Sequence, residues 1–309
     1  MKVALLGVWH VHARDYVKYA LKLADVVGAW DEDPAKLAPF CEEFKVPAFS
    51  SIDELLASDA EAVICCSSSD THPDVMVKAA EAGKHIFTEK VLALSSAECE
   101  KIEAAVKKNG VNFVISLVQK YTAGPSTVKA LLDSGELGEI NYFRFRNCHN
   151  GSTGNWLPEH FFSKKECGGG AMIDLGAHGM YLADWFLGIP ESAKSVFTVW
   201  DKNVRNIDHL EDNAVTVMSY PGGVIAINET GFDSIGSPMR LEIGGSKGYA
   251  VCEDGKVYKN LGKGFEAVEL LPARPLPIEQ FLTGNILPGC GIEEAKHLTK
   301  LMEMDYQNQ

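Results

Sequence analysis

Three short segments carry residue types able to do chemistry. The first is the turn Gly7-Val8-Trp9-His10-Val11-His12, which follows the apolar run Val3–Leu6. A glycine turn between a strand and a helix offers backbone N–H groups and a positive helix end to a phosphate. Gly7 holds the first place of a G-x-G-x-x-G turn, while Trp9 and His12 stand at the other two. Asp31 closes the next apolar run, where a carboxylate typically accepts hydrogen bonds from the ribose hydroxyls of a dinucleotide. The same residues also suit an ordinary strand-to-helix turn, with Asp31 a solvated carboxylate beside Glu32 and Asp33. The second segment is Glu89-Lys90-Val91. A lysine placed there orients a hydroxyl and assists proton transfer, or it is simply a surface lysine. The third runs from Gly168-Gly169-Gly170 to Asp174 and His178. Asp174 and His178 are i and i+4, so one helix face carries a carboxylate beside an imidazole. That is either a proton-handling pair or a buried pair whose members satisfy each other. The three glycines free the backbone for close approach to a ligand or to a packing partner.

The elements that would position these residues fall into two patterns. Up to about residue 118, apolar runs alternate with helical stretches: Val3–Gly7, Val26–Trp30, Ala62–Cys66, His85–Thr88 and Asn112–Val118 read as strands. Between them lie helices at Ala13–Leu23, after the Asp33-Pro34 cap, at Pro73–Ala82, and from the Ser95–Glu98 capping box to Gly110. Repeated β-α order predicts a doubly wound parallel sheet, whose ligands bind at the carboxyl ends of the strands. After Gln119 a helix near Pro125–Leu132 leads to Tyr142–Arg146, which alternates like a strand with one wet face. A helix over Ala171–Leu187 follows, then strand-like runs at Ser195–Trp200, Ala214–Tyr220, Gly223–Thr230, Arg240–Gly244, Tyr249–Glu253 and Phe265–Leu271. Strands in succession predict a mostly antiparallel sheet. Helical stretches at Ile278–Leu282 and Glu293–Met304 come last. The expected domains are therefore 1–118 and 119–309.

Composition excludes several classes of partner. Lys+Arg number 29 against 42 Asp+Glu, a formal net charge of −13, which disfavours nucleic acid and anionic membrane surfaces. The eight cysteines are scattered with no CxxC, so neither a zinc site nor a disulfide framework is expected. His149, His160 and His209 lack metal-ligand spacing. No run reaches the ~18 apolar residues of a membrane span, and little precedes the first strand. The expectation is a cytoplasmic globular protein with reduced thiols.

Taken together, Gly7, Asp31, Cys66-Ser67-Ser68-Ser69-Asp70-Thr71-His72, the block Ala82-Gly83-Lys84-His85 through Glu89-Lys90, and Gly168-Gly169-Gly170 with Asp174 and His178 resemble the glucose–fructose oxidoreductase / inositol dehydrogenase / MocA (Gfo/Idh/MocA) family. The resemblance implies an N-terminal Rossmann domain binding NAD or NADP. It also implies a C-terminal α/β domain with a large open sheet that commonly forms an oligomer interface. The implied reaction is hydride transfer at a secondary alcohol or ketone of a sugar, cyclitol or related polyol. Carried over by position, Lys90, Asp174 and His178 surround the reacting carbon. The cofactor lies against Gly7, Trp9, His10, Val11, His12, Asp31, Ser67, Ser68, His72, Glu89 and Lys90. Three departures stand out: Val91 replaces the family's proline, Trp9 and His12 replace glycines, and Tyr181 stands where many relatives carry aspartate.

The reading is an NAD(P)-dependent oxidoreductase, a homo-oligomer of dimer size or larger. Two alternatives are a regulatory protein that binds dinucleotide without turnover, and a hydrolase or lyase using NAD in a transient oxidation. NAD is expected over NADP, since Asp31, Glu32 and Asp33 repel a 2′-phosphate and no basic residue near them in sequence receives it.

Overall fold

A computed structural model describes residues 1–308, which form two compact units. The first comprises Met1–Ser116 with Pro275–Thr299, and the second comprises Leu117–Arg274 with the residues from Lys300 onward.

In the first unit, β1 (Lys2–Leu6), α1 (Ala13–Leu23), β2 (Asp25–Trp30), α2 (Pro34–Phe44), α3 (Ile52–Ala57), β3 (Ala62–Cys65), α4 (His72–Glu81), β4 (His85–Thr88), α5 (Ser96–Asn109) and β5 (Phe113–Ile115) alternate as expected. The parallel sheet has the order β2-β1-β3-β4-β5, so chain direction across the sheet reverses between β1 and β3. Every residue of β3 is buried, as suits a strand covered on both faces. The caps work as the sequence indicates. Asp33 accepts the Ala35 N–H at 2.9 Å with Pro34 beginning α2, and Ser95 accepts the Glu98 N–H at 3.3 Å before α5. Each such cap is worth about 1 kcal/mol.

The second unit holds α6 (Ala123–Asp133), β6 (Ile140–Cys148), the single turn α7 (Lys164–Cys167), a π-helical turn (Met172–Gly176) and α8 (Ala177–Leu187). Seven strands follow: β7 (Ser192–Thr198), β8 (Asn213–Ser219), β9 (Ile225–Gly231), β10 (Arg240–Gly245), β11 (Tyr249–Glu253), β12 (Lys256–Asn260) and β13 (Glu266–Val268). With β6 they form one eight-stranded sheet, ordered β13-β12-β11-β10-β6-β9-β8-β7; β6 and β9 are parallel and the other neighbours antiparallel. Phe143 and Phe145 of β6 point inward, fully buried, and Phe143 meets Phe186 of α8 at 5.6 Å between ring centres. Burying each contributes about 1.5–3 kcal/mol.

Three expectations are corrected and two elements are added. The helix read over Ala171–Leu187 is a π turn followed by α8. The strand read over Asn112–Val118 shortens to β5. The helix α3 and the strand β12 are elements that no expectation covers. Finally, α9 (Pro277–Thr283) and the first part of α10 (Ile292–Gln307) belong to the first unit, not to a 119–309 block. The reason is packing: Phe281 is buried against Phe87 of β4, 5.8 Å between ring centres, and Ile115 of β5 donates to the Cys290 carbonyl at 2.9 Å.

Candidate active site

In the first unit the expected cofactor residues gather where strand order reverses. Gly7 leaves β1 with φ +90°, and a Cβ there would stand 2.5 Å from the Ser67 nitrogen after β3. Only glycine lets these two loops approach so closely. The Gly7 N–H donates to the Trp30 carbonyl at 2.7 Å, and the His10 N–H donates to the Cys66 carbonyl at 3.0 Å. Asp31 is 6 % exposed and is not the solvated turn carboxylate the sequence allowed. It accepts the Val8 N–H at 2.6 Å and the Asp33 N–H at 2.8 Å, fixing the turn from the β2 side. A cavity of about 150 Å³ opens here, walled by Gly7, Trp9, Asp31, Ser67 and Ser68, and also by Trp30 and Lys36. Lys36 corrects the expectation that no nearby basic residue serves this pocket: in the first turn of α2, it lines the same wall. Trp9 is buried and Val11 exposed.

Beyond β4, Glu89 and Lys90 are 2 % and 7 % exposed, so Lys90 is not a surface lysine. The Lys90–Val91 peptide is cis. Glu89 Oε2 accepts the Lys90 N–H at 3.0 Å, while Oε1 lies 2.8 Å from His12 Nδ1 and accepts the Tyr16 hydroxyl. Burial opposes the Glu89 charge, yet the imidazoles of His10 and His12, with the Lys90 ammonium, hold its carboxyl well below the usual range. His72, fully buried, ties the two loops together. Its Nδ1 lies 3.1 Å from both the Val91 and the Leu92 carbonyl oxygens, and its Nε2 lies 3.2 Å from the Ser67 carbonyl oxygen. Two nitrogens facing carbonyls are satisfied when both carry protons. Burial opposes that charge, but the adjoining Cys65 sulfur and the Leu92 and Ser67 carbonyls raise the His72 pKa.

In the second unit, Asp174 lies in the π turn and His178 in the first turn of α8, both half-buried. A π turn is wider than an α turn, so an i, i+4 pair crossing into α8 does not keep the face alignment of a regular helix. His178 Nδ1 lies 2.8 Å from the Tyr181 hydroxyl, which accepts the Gln119 N–H at 3.0 Å. The glycine run serves internal packing. A Cβ on Gly169 would strike the Tyr306 hydroxyl, and one on Gly170 would strike the Glu211 carbonyl. Glu211 Oε1 accepts the N–H groups of Gly170 at 2.9 Å and Met172 at 3.1 Å, together with the Tyr306 hydroxyl at 2.6 Å. Burial raises the Glu211 pKa against the lowering effect of these bonds. The sequence offered no signal for Glu211, Tyr306 or Tyr16, because each acts through a partner remote in the chain, whereas Lys36 was open to view, three residues after Asp33 in the helix that the Asp33-Pro34 cap begins.

Fold and turn define the class: a dinucleotide-binding unit of Rossmann type in a chain with a second, large-sheet α/β unit. Residues 1–117 match the oxidoreductase family with an NAD-binding Rossmann fold, and residues 126–251 match the GFO/IDH/MocA C-terminal domain. The chain belongs to the Gfo/Idh/MocA family, as the sequence resemblance implied. It is 29 % identical over 194 residues to an inositol 2-dehydrogenase of Salmonella typhimurium, covering 62 % of this chain and 54 % of that protein. It is 28 % identical over 194 residues to a scyllo-inositol 2-dehydrogenase (NAD(+)) of Bacillus subtilis, covering 61 % and 54 %. The chain thus spans about half the length of the curated relatives it matches. In fold it is similar to an aldose-aldose oxidoreductase of Caulobacter crescentus, with a TM-score of 0.83 at 20 % identity over 100 % of this chain and 97 % of the other. Among the described residues no helix is long and apolar enough to cross a membrane.

Proposed function

We propose that the protein is an NAD(P)-dependent oxidoreductase acting on a secondary alcohol or ketone of a sugar, cyclitol or related polyol. The observation that carries this reading is the Gly7 turn at the β1/β3 reversal, closed behind by Asp31 and walled by Ser67 and Ser68. The close approach of the two loops at Gly7, and the pocket beside it, suit the phosphate turn and one ribose of a dinucleotide. Its bound nicotinamide would supply a hydride acceptor or donor. Trp9, His10, Val11 and His12 would line its path, with His72 fixing the two loops that flank it. Lys90 holds and polarises the reacting oxygen, His178 takes or gives the hydroxyl proton, and Asp174 bonds the substrate or orients the pair. Positioned groups of this kind act by proximity and electrostatics. The names of the inositol dehydrogenase relatives support a cyclitol or similar polyol.

NAD is the preferred cofactor, because three carboxylates, Asp31, Glu32 and Asp74, line the pocket with one ammonium, Lys36. The protein assembles as a homo-oligomer through the open sheet, where Val196, Val215, Val217 and Ile225 are 68, 41, 44 and 45 % exposed. Eight unbridged cysteines suit the cytosol. The test is an absorbance screen at the reduced-nicotinamide band, offering NAD⁺ and NADP⁺ with sugars, cyclitols and inositols, and the reduced cofactors with their keto forms. Turnover of at least one polyol with NAD⁺ is expected. Tight cofactor binding with no substrate consumed would favour a dinucleotide-dependent regulator. Substrate consumed without net cofactor reduction would favour a transient-oxidation lyase or hydrolase.

A further inference from the structure

The first unit contains a second possible site, built from residues that the cofactor reading uses only as lining. His10 and His12 lie in the β1–α1 turn and Glu89 follows β4. One ligand-capable atom from each falls within 4.8 Å of the others. The three differ in exposure: Glu89 and His10 are buried, whereas the His12 side chain is 47 % exposed. Glu89 is also braced from behind. The Tyr16 hydroxyl donates to Oε1 and itself lies 2.7 Å from Ser116 Oγ, and the Lys90 N–H donates to Oε2. Such outer bonds orient first ligands in metal sites.

We propose that His10, His12 and Glu89 form a binding site for a divalent transition metal of the zinc class. Two imidazoles and one carboxylate are borderline donors. The set is that of tetrahedral sites with three protein ligands and a fourth position open to water or substrate oxygen. The half-exposed His12 leaves that fourth position accessible from solvent. A hydrogen-bonded His–carboxylate contact is also how such ligands rest without metal. The 2.8 Å between His12 Nδ1 and Glu89 Oε1 is spanned by one proton, and the metal takes that proton's place. His10 ligates through whichever nitrogen its tautomer leaves with a lone pair. Its Nδ1 now accepts the His12 backbone N–H at 3.2 Å. Binding therefore releases protons to solvent, with no other change of bonding or oxidation state. Zn(II), Co(II) and Ni(II) fit the donor set, whereas Mg(II) and Ca(II), which want oxygen ligands, do not.

The inference stands apart from the oxidoreductase reading, and the experiment keeps the two separate. Tag-free protein is freed of metal with a chelator, exchanged into chelator-free buffer, and titrated with Zn(II) by calorimetry and with Co(II) by visible absorption. One equivalent is expected to bind, with the intense d–d bands of a low-coordinate site, and Mg(II) is expected not to compete. His12→Ala and Glu89→Gln should each weaken Zn(II) binding by about 10–100-fold or more, while His149→Ala in the second unit leaves it unchanged. Should Glu89→Gln fail to fold by circular dichroism, His12→Ala alone decides, because His12 is half-exposed. Absence of stoichiometric binding, or binding indifferent to His12→Ala, overturns the proposal. NADH titration of the same metal-free protein reads the cofactor reading independently. NADH binding without Zn(II) binding sinks the metal site alone, and Zn(II) binding without NADH binding sinks only the cofactor reading.

Discussion

His178 Nδ1 lies 2.8 Å from the hydroxyl of Tyr181, which in turn receives the Gln119 N–H at 3.0 Å. A phenol that accepts from one side and shares a proton on the other fixes the imidazole ring in orientation. It leaves Nε2 as the nitrogen directed away from this bond. Tyr181 therefore does at this position what a carboxylate does beside many catalytic histidines, without adding a buried charge. Tyr181→Phe should cost about 1 kcal/mol of stability, since the part-buried Gln119 N–H loses its acceptor. It should also lower kcat while leaving the KM for the dinucleotide unchanged. Urea unfolding with steady-state kinetics on the substrate found by the screen checks both; an unchanged kcat would reduce Tyr181 to a packing residue.

The proposed preference for NAD is tested at Asp31 and Lys36. Two backbone donors already hold the Asp31 carboxylate, so Asp31→Ala should both loosen the turn, by about 1–3 kcal/mol, and weaken NADH binding. Lys36→Ala should change NADH affinity by no more than about 2-fold and weaken NADPH further, because Lys36 is the one basic residue lining that pocket. Fluorescence titrations of both cofactors decide this. If NADPH binds wild type more tightly than NADH, Lys36 outweighs the surrounding carboxylates.

What the sequence disclosed follows from the range of the interactions involved. The buried strands, the Asp33 and Ser95 caps and the Gly7 turn are set within a few residues, and they were legible. The π turn was not, because Ala171–Leu187 is a continuous helix-forming run. The wide turn coincides with Glu211, 39 residues from Met172, accepting the Gly170 and Met172 N–H groups. Likewise His12 meets Glu89 across 77 residues, so spacing could not expose a shared ligand set. The strand β12 carries only one buried residue, Val257, and so lacks the alternation by which strands are recognised. The return of α9 to the first unit depends on Phe281 meeting Phe87, a contact invisible without the fold.

Asp305 gives a pH test of the second unit. Burial pushes its carboxyl up to about 6, partly offset by the Ser195 and Thr216 hydroxyls that donate to Oδ1, while Oδ2 is buried without a partner. The folded pKa is raised above the unfolded value of 3.8. The stability it contributes is thus fully present below about pH 4 and is lost as pH rises through about 6. Asp305→Asn cannot titrate. The stability of the variant relative to wild type should therefore climb by up to about 3 kcal/mol between pH 4 and pH 7. Chemical denaturation at both pH values measures the change; a flat difference would place Asp305 outside the titrating set.

The outer face of β7, β8 and β9 supplies the assembly test. Ala214, Thr216 and Met218 point inward while Val215 and Val217 face out, opposite Val196 and Ile227 on the neighbouring strands. Val196→Glu and Val217→Glu insert charge into that face without touching the core, so each should keep the fold and release monomers near 33.7 kDa. Light scattering of wild type and variants at micromolar concentration settles it. A wild type already monomeric there leaves the oligomer proposal without support.

The enzyme reading rests on Lys90 and His178. Neither belongs to the Gly7 turn or lines the Asp31 pocket, and Lys90 borders the cofactor's path only beyond them, so most of the ground-state dinucleotide affinity should survive their loss. Lys90→Met and His178→Ala are therefore expected to keep NADH affinity within about 3-fold while turnover falls by about 10²–10⁴, the usual worth of a positioned acid or base. Asp174→Asn should fall between wild type and these, because it keeps shape and hydrogen bonding while losing charge. In the oxidation direction the wild-type pH–rate profile should rise as the base loses its proton, and His178→Ala should flatten that limb. Lys90 is buried beside Glu89, so Lys90→Met also carries a structural control: an NADH affinity and a melting temperature close to wild type show that the lost turnover is chemical. Near-normal turnover in both variants would move the proton chemistry to other residues. Loss of NADH binding in His178→Ala would instead show that the second unit contributes to holding the cofactor.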